Sequence, residues 1–284
     1  MAQIALSDER SRVRTVNRNT LNATSGSDWL KFTKTWFILN PGVRLMKSIH
    51  PATYPAGLAE EFIRFFTRPG DWVIDPFLGS GSTMIAARAS GRHGLGIELY
   101  PEYAKLARKW VEGVPGKTQN AVVEGDSRQV IPKLQGMGFP KMRFCICSPP
   151  YWSQLSAPTP SKEKDEEREL LGLATKYGQR KLDLGNIPGY SDFLREQGLI
   201  FDSLFDVMED RAYLVVITNN VYRDGRLYPL AFDTFRSLSE KWTPKDERIW
   251  CQDDKKLRPF GMFHSYIGNR SHHYCLVFRK QTNT

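Results

Sequence analysis

The run Asp75-Pro-Phe-Leu-Gly-Ser-Gly-Ser-Thr83 has the residue types of a ligand-binding turn between a strand and a helix. Glycines such as Gly79 and Gly81 allow the backbone to approach a ligand closely, and the start of a helix offers free N–H groups. The third glycine of the dinucleotide-binding fingerprint is missing. By itself the run therefore fits either a nucleotide-like ligand or a merely tight turn.

Acidic residues at the ends of three successive predicted strands favour the ligand. Asp75 ends the first strand, Glu98 ends the next about 20 residues later, where a carboxylate can accept both hydroxyls of a ribose, and Asp126 ends the third. Each acid alone could be an ordinary helix cap. Together they indicate an adenosine-containing cofactor, and so many carboxylates suit a sulfonium cation better than an anionic pyrophosphate.

A second run, the tetrapeptide Ser148-Pro-Pro-Tyr151, directly follows an apolar strand. Together the two runs resemble the amino-directed DNA methyltransferases, and the serine resembles their cytosine-N4 branch, since adenine-N6 enzymes more often carry Asp or Asn there. Weaker likeness extends to His50-Pro-Ala-Thr-Tyr-Pro55, similar to the segment that packs on the cofactor, and to His273-Tyr-Cys-Leu-Val-Phe-Arg-Lys280, similar to the closing strand.

The resemblance implies S-adenosylmethionine as the cofactor and double-stranded DNA as the substrate. It allows a cognate restriction endonuclease as a partner and leaves a monomer or a homodimer open. The residues expected to bind the cofactor are Asp75, Phe77, Gly79, Gly81, Thr83, Glu98, Asp126 and Ser127.

The tetrapeptide also has residue types that suit methylation of an exocyclic amine. The lone pair of cytosine N4 is delocalised into the ring, so acceptors must hold its two hydrogens, which Ser148 Oγ and the Pro149 carbonyl can do. Pro149 and Pro150 stiffen the loop, and Tyr151 offers an aromatic face to a base swung out of the duplex. Methylation at C5 would need a thiolate, typically from a Cys after Pro, and no Cys follows a Pro. We therefore expect Ser148, Pro149, Pro150 and Tyr151 to be catalytic.

The elements around these runs alternate as βαβαβ, which predicts right-handed crossovers and a parallel sheet with helices on both faces. With the resemblance, the expected fold class is α/β: a Rossmann-like class I methyltransferase with a mostly parallel seven-stranded sheet and an antiparallel C-terminal strand. Aromatic residues at helical spacing near the N-terminus predict a core stripe of Trp29, Phe32, Trp36 and Phe37. The predicted strands are 72–74, 94–98, 121–126, 143–147, 212–218, 247–251 and 274–278.

The chain is divided into a polar, basic arm at 1–28 and a single catalytic domain at 29–284. A Lys-, Glu-, Pro- and Gly-rich insertion at about 153–188 is too long for an ordinary loop. The net charge of +9 is concentrated at the two ends of the chain, which suits a polyanionic partner, although ordinary solubility also explains it. We hypothesise that the arm, the insertion and Lys255–Arg270 form the DNA groove.

Other classes of protein and site are disfavoured. No stretch approaches the roughly 18 apolar residues of a membrane span, and the first residues lack the apolar core of a secretory signal, so a cytoplasmic protein is expected. The four cysteines form no C-x-x-C pair, which predicts reduced core thiols and no metal site. The alternatives that stay open are adenine-N6 methylation, an RNA or protein amide substrate, and a non-catalytic nucleic-acid binder that retains a cofactor pocket.

Overall fold

The structure, a computed structural model, describes residues 19–40, 54–152, 183–260 and 262–281. These residues form one large β-sheet with helices on both faces and a separate two-stranded hairpin. The strands are β1 (Trp36–Ile38), β2 (Trp72–Asp75), β3 (His93–Glu98), β4 (Asn120–Glu124), β5 (Met142–Cys147), β6 (Met208–Thr218), β7 (Val221–Arg223), β8 (Arg226–Tyr228), β9 (Thr243–Cys251) and β10 (His272–Arg279). The α-helices are α1 (Gly26–Phe32), α2 (Ala56–Phe66), α3 (Ser82–Ala89), α4 (Pro101–Glu112), α5 (Ser127–Val130), α6 (Tyr190–Val207) and α7 (Leu230–Leu238), and short 3-10 helices span Ile131–Lys133 and Leu184–Asn186.

The large sheet has the strand order β1-β9-β10-β6-β5-β2-β3-β4. β10 runs antiparallel to both of its neighbours, and the other strand pairs of this sheet are parallel. The predicted fold class, a Rossmann-like α/β methyltransferase fold with an antiparallel C-terminal strand, is confirmed. The sheet has eight strands instead of seven, because β1 adds to the outer edge of β9 and pairs Phe37 with Trp250.

The strands carry apolar residues on both sides because helices cover both faces of the sheet. In β5, Phe144 and Ile146 face the cluster that contains α2, whereas Cys145 and Cys147 face the cluster that contains α6. This alternation buries Cys147 completely. The four cysteines are free, as predicted, and Cys251 is the one that is only half-buried.

The part of the predicted N-terminal arm that the structure describes, residues 19–28, contacts the body of the protein. Asn22 is 2% exposed, and its Nδ2 donates to the carbonyl of Phe65 in α2. Arg68 also donates to the carbonyl of Asn19, at 2.6 Å. Residues 1–18 of the arm and residues 153–182 of the insertion lie outside the described residues.

Candidate active site

The predicted acids lie at the edge of the sheet where its parallel strands end, here called the carboxyl edge. Asp75 is the last residue of β2, Glu98 is the last residue of β3, and Asp126 follows β4 by two residues. Asp75 and Glu98 are buried, at 1% and 7% exposed, and Asp126 is 9% exposed. Ligands of open α/β sheets bind in the crevice outside this edge.

The Asp75 carboxylate fixes the turn of residues 75–83, here called the glycine turn, at both ends. Oδ1 accepts a hydrogen bond of 2.9 Å from the Phe77 N–H, and Oδ2 accepts from the hydroxyl groups of Tyr54, at 3.0 Å, and of Thr83. Burial raises the pKa of Asp75 to about 6, although these hydrogen bonds oppose the shift. Tyr54 belongs to the His50–Pro55 segment expected near the cofactor, of which residues 50–53 lie outside the described part of the chain.

Glu98 holds the middle of the glycine turn. Its Oε2 accepts from the Gly79 N–H at 2.7 Å, and its Oε1 accepts from the Tyr100 N–H at 2.9 Å. Burial raises the pKa of Glu98 to about 7, against the effect of the two N–H donors, and the charges of Asp75 and Asp183 raise it further. Each carboxylate oxygen keeps acceptor capacity for a ligand hydroxyl.

Gly81 caps α3 in the left-handed region, with φ of 99°. A Cβ at this position would lie 3.1 Å from the Cβ of Ala107 in α4. Both the backbone conformation and the close approach of α4 therefore require glycine. The neighbouring Ser80 hydroxyl is buried and has no hydrogen-bond partner among the described residues.

The side chains after β4 are already engaged within the protein. Asp126 forms a 2.7 Å ion pair with Arg128, which also pairs with Glu196. The Ser127 hydroxyl donates to the carbonyl of Pro76 and thereby ties this segment to the glycine turn. Asp126 thus has a cationic partner, unlike Asp75 and Glu98, which form no ion pair among the described residues.

Phe77 packs against α6 with one face. Its ring centre lies 6.2 Å from that of Phe201, and the residue is only partly buried. The exposed part of the ring lies at the carboxyl edge, next to Asp75.

Asp183 also belongs to this acidic site. In the sequence it falls within the insertion predicted at about 153–188. It is 3% exposed, accepts from the Tyr100 hydroxyl at 2.6 Å and accepts from the Gly185 N–H at 2.8 Å. Burial raises its pKa. No local signal points to Asp183, because its contact with Tyr100 joins residues 83 positions apart.

The site fits a cofactor that carries a cation and a ribose. Asp75, Glu98 and Asp183 are buried carboxylates without an ion pair among the described residues, and burial of an uncompensated negative charge is costly. A sulfonium would compensate that charge, whereas a pyrophosphate would add to it. The unpartnered Ser80 hydroxyl offers one further hydrogen bond.

The tetrapeptide lies beside the glycine turn because β5 and β2 are neighbours. Ile74 of β2 pairs with Cys145 of β5. Asp75 follows Ile74 by one position and Ser148 follows Cys145 by three, so the two residues are at the same edge of the sheet. Ser148 is half-buried. Pro149 is buried, and Pro150 packs against Gly185 of the Asp183 segment.

Tyr151 is fixed by His273, the first residue of the run that the sequence analysis compared with the closing strand. Its hydroxyl lies 3.0 Å from Nδ1 of His273, and the His273 ring stacks on Trp250 with ring centres 4.8 Å apart. Burial raises the pKa of Tyr151 well above its usual value, so the phenol stays protonated at neutral pH. Tyr151 and His273 are 122 positions apart, so only the fold shows their contact.

Trp152, next to the tetrapeptide, is 5% exposed. Its Nε1 donates to the carbonyl of Ile187 at 3.1 Å, and its ring packs against Tyr190 and Tyr228. It therefore supports the tetrapeptide from the protein interior.

Two kinds of feature are not found within the described ranges. No group of three or more His, Cys, Asp or Glu side chains there could hold a metal ion. No helix of the described residues is both long enough and apolar enough to cross a bilayer.

Comparison with known proteins finds similarity to DNA methylases over the part of the chain that contains the glycine turn and Glu98. Residues 8–109 match the family N6_N4_Mtase, described as DNA methylase. The chain is 37% identical over 97 residues to the type II methyltransferase M.BglI of Bacillus subtilis, which covers 34% of this chain and 27% of that protein. It is 44% identical over 63 residues to the type II methyltransferase M2.DpnII of Streptococcus pneumoniae, which covers 22% and 24%. A solved SAM-dependent methyltransferase from Methanosarcina mazei aligns with 14% identity and a TM-score of 0.46, over 81% of this chain and 99% of that one.

The matches are partial. The aligned segments span about a quarter of each of the two curated relatives. The family match contains the glycine turn and Glu98 but ends before Ser148. S-adenosylmethionine is the cofactor that this match supports, as the sequence predicted, and residues 8–109 are similar to N4/N6-type DNA methylases.

Proposed function

We propose that this protein transfers a methyl group from S-adenosylmethionine to the exocyclic N4 amine of a cytosine in double-stranded DNA. The observation that carries this proposal is the position of the tetrapeptide beside the buried acids, at the ends of the neighbouring strands β5 and β2. A cofactor and an amine held at these two strand ends would be adjacent, and such proximity is a large part of the rate enhancement in transfer reactions.

The glycine turn and the acids would hold the cofactor. Glu98 would accept the ribose hydroxyls, and the uncompensated charge of Asp75 and Asp183 would favour the sulfonium. When bound, S-adenosylmethionine supplies a methyl group whose bond to sulfur breaks with its electrons as the amine lone pair forms the new N–C bond. Thr83 and Tyr54 would act through Asp75, whose carboxylate they orient.

Ser148 and Pro149 would bind the amine. The Ser148 Oγ and the Pro149 carbonyl oxygen each accept one N–H of the target, which draws the nitrogen lone pair out of conjugation with the ring. The proline that follows has no N–H with which to consume the Pro149 carbonyl. After transfer the nitrogen would release one of these protons to solvent, because a hydroxyl oxygen and an amide oxygen are too weakly basic to keep it.

Tyr151 would position the base. A base in a duplex is out of reach of a buried site, so we propose that the target cytosine is swung out of the helix and stacks on the Tyr151 ring. The hydrogen bond to His273 prevents the ring from rotating away. Such a pre-ordered contact costs little entropy when the base arrives.

The segment Lys255–Arg270 would contribute to the DNA groove. It joins β9 to β10 at the carboxyl edge, and its two lysines and Arg258 are exposed. The aromatic side chains of Phe263 and Tyr266 in the same segment are 92% and 96% exposed. Hydrogen bonds of 2.8 Å in both directions between Arg258 and Asn269 hold its two sides together. Exposed basic and aromatic side chains together suit a nucleic-acid surface.

The experiment that tests the choice of substrate is methyl transfer to nucleic acid. The protein is incubated with methyl-labelled S-adenosylmethionine and, in separate reactions, with duplex DNA that lacks prior methylation, with RNA, and with no nucleic acid. The proposal expects label in the DNA alone. Label in RNA, or no label despite measurable cofactor binding, would overturn it, and the second outcome would favour the non-catalytic binder.

A further inference from the structure

We infer that the β7–β8 hairpin binds the DNA phosphates next to the target base, an inference that rests on the proposed function. The hairpin was not predicted from the sequence. It spans Val221–Tyr228 and carries two arginines, Arg223 and Arg226, around an exposed turn.

The hairpin lies at the carboxyl edge, beside the tetrapeptide. It begins three residues after β6, which pairs with β5 and ends at the same edge. Tyr228 packs on Trp152 with ring centres 4.6 Å apart, and Trp152 directly follows Tyr151. A DNA strand that presents a base to Tyr151 would therefore have its backbone near this hairpin.

The two arginines project from the face of the hairpin that packs on the protein. Arg223 pairs directly with Arg226, and Val221 pairs with Tyr228, so all four side chains share one face. The Arg223 guanidinium lies 4.8 Å from the centre of the Trp152 ring, and that of Arg226 lies 5.3 Å from the centre of the Tyr228 ring.

The turn between the two arginines has the backbone geometry of a tight hairpin turn. Asp224 and Gly225 both have positive φ, of 49° and 75°, which is the geometry of a two-residue hairpin turn that matches the twist of its strands. The arginines are thus presented in a fixed register and do not depend on a flexible loop.

Within the described residues, the two facing arginines share a single acidic partner, Asp224. Like charges directly opposite each other in a β-ladder are destabilising. Arg223 forms an ion pair with the adjacent Asp224, yet its Nη1 is buried and has no hydrogen-bond partner among the described residues. Arg226 is exposed and forms no ion pair within the described ranges.

A bound phosphate group would compensate both the facing positive charges and the missing hydrogen-bond partner of Arg223 Nη1. Its oxygens accept several N–H bonds from guanidinium groups, and its charge compensates the facing arginines. The positive surface continues beyond the hairpin, because Arg270 lies 5.9 Å from the ring of Tyr222 on the opposite face. This links the hairpin to the segment Lys255–Arg270 and favours an extended polyanion over a small anion.

The test is the salt dependence of DNA binding by the full chain. The dissociation constant for a linear duplex of mixed sequence is measured against salt concentration for the wild type, Arg226→Gln and the double variant Arg223→Gln/Arg226→Gln. Removing one arginine–phosphate pair reduces the slope of log affinity against log salt by about 0.9, so the slope of the double variant should be smaller by about 1.8. Arg64→Gln on α2, whose guanidinium pairs with Glu60, is the control and should keep the full slope.

Cofactor affinity is measured in parallel to confirm that each variant is folded. Arg226 is exposed, so its single variant keeps the test valid even if the change at Arg223 disturbs Trp152. If the wild type binds DNA and the Arg226→Gln variant keeps the wild-type slope, the hairpin assignment is wrong while the proposed function stands. If the wild type binds no duplex DNA, the proposed function fails and the inference fails with it.

Discussion

The glycine turn and the tetrapeptide lie on neighbouring strands, but contacts of different kinds hold them. The turn is fixed by residues close by in the chain: Asp75 bonds to Phe77 and Thr83, and Glu98 bonds to Gly79, within about 20 residues. Tyr151, in contrast, is fixed by His273, from the far end of the sequence. The first region is held mainly by contacts between residues that are close in the chain, whereas the second depends on the assembled sheet.

This difference suggests a division of tasks. Changes in the glycine turn should alter cofactor affinity and stability, and changes around the tetrapeptide should alter the rate of transfer with little effect on cofactor affinity. The predictions below test that division, beginning with the largest effect.

Ser148→Ala should lower the rate of methyl transfer by about 10² to 10³-fold, because the variant has only one of the two acceptors for the target amine. Cofactor affinity should not change, and single-turnover kinetics with titration calorimetry measure the two quantities separately. Ser203→Ala on α6, which removes a hydroxyl bonded only to the Leu199 carbonyl, is the matched control. An equal drop in cofactor affinity in Ser148→Ala would show that the two regions do not divide the tasks.

Gly81→Ala should destabilise the protein by about 2 to 5 kcal/mol and weaken cofactor binding. The left-handed backbone costs an alanine about 1–2 kcal/mol, and crowding against Ala107 adds about 1–3 kcal/mol. Gly70→Ala is the control, since Gly70 also has positive φ, of 87°, but a Cβ there would meet no atom within 4 Å. Denaturant unfolding of both variants measures the difference, and equal destabilisation would contradict the role of the α4 contact.

Cofactor affinity should fall by up to about tenfold per pH unit below pH 7, because a cation prefers ionised Glu98 and its pKa is raised to about 7. The free energy of unfolding of the ligand-free protein changes with pH in the opposite direction. The folded state keeps the Glu98 proton that the unfolded chain releases near its ordinary pKa of 4.5, so the free energy of unfolding should fall as pH rises from about 4.5 to about 7.

The control is Glu98→Gln, which cannot ionise. It should bind the cofactor more weakly at pH 8 and should keep the pH dependence that Asp75 causes through about pH 6 and that the raised pKa of Asp183 adds. A wild-type affinity that is constant between pH 5 and 8 would argue against an ionised carboxylate facing the cofactor.

His273→Gln should lower the rate of transfer about tenfold at unchanged cofactor affinity, since Tyr151 loses its anchor and a small displacement of a base-positioning group is costly. His93→Gln is the matched control, because His93 also stacks on a tryptophan, Trp72, with ring centres 5.0 Å apart, but at the opposite edge of the sheet. A similar decrease in both variants would point to a general packing effect.

The sequence predicted well those elements whose signals are local. One helix of the predicted βαβαβ alternation is α4, which a proline at its first position and an amphipathic pattern define locally. The strands that carry Glu98 and the tetrapeptide also lie where the apolar runs placed them.

Elements set by tertiary contacts were missed. The helical spacing predicted for Trp29 to Phe37 is interrupted after Phe32: α1 ends there, Phe32 stacks on Phe65 with ring centres 3.8 Å apart, and the chain then extends as β1 along β9. The β7–β8 strands have only three residues each, too few for a periodic pattern. The contacts of Asp183 and His273 arise only when distant strands meet at the carboxyl edge.

The most direct measurement of the central claim is the identity of the methylated nucleoside. Duplex DNA is methylated by the wild-type protein with labelled S-adenosylmethionine, digested to nucleosides and analysed by mass spectrometry. The proposed geometry at Ser148 and Pro149 predicts that the label is in N4-methylcytosine. Label in N6-methyladenine would show that this site accepts the larger ring, and label at cytosine C5 would contradict amine methylation altogether.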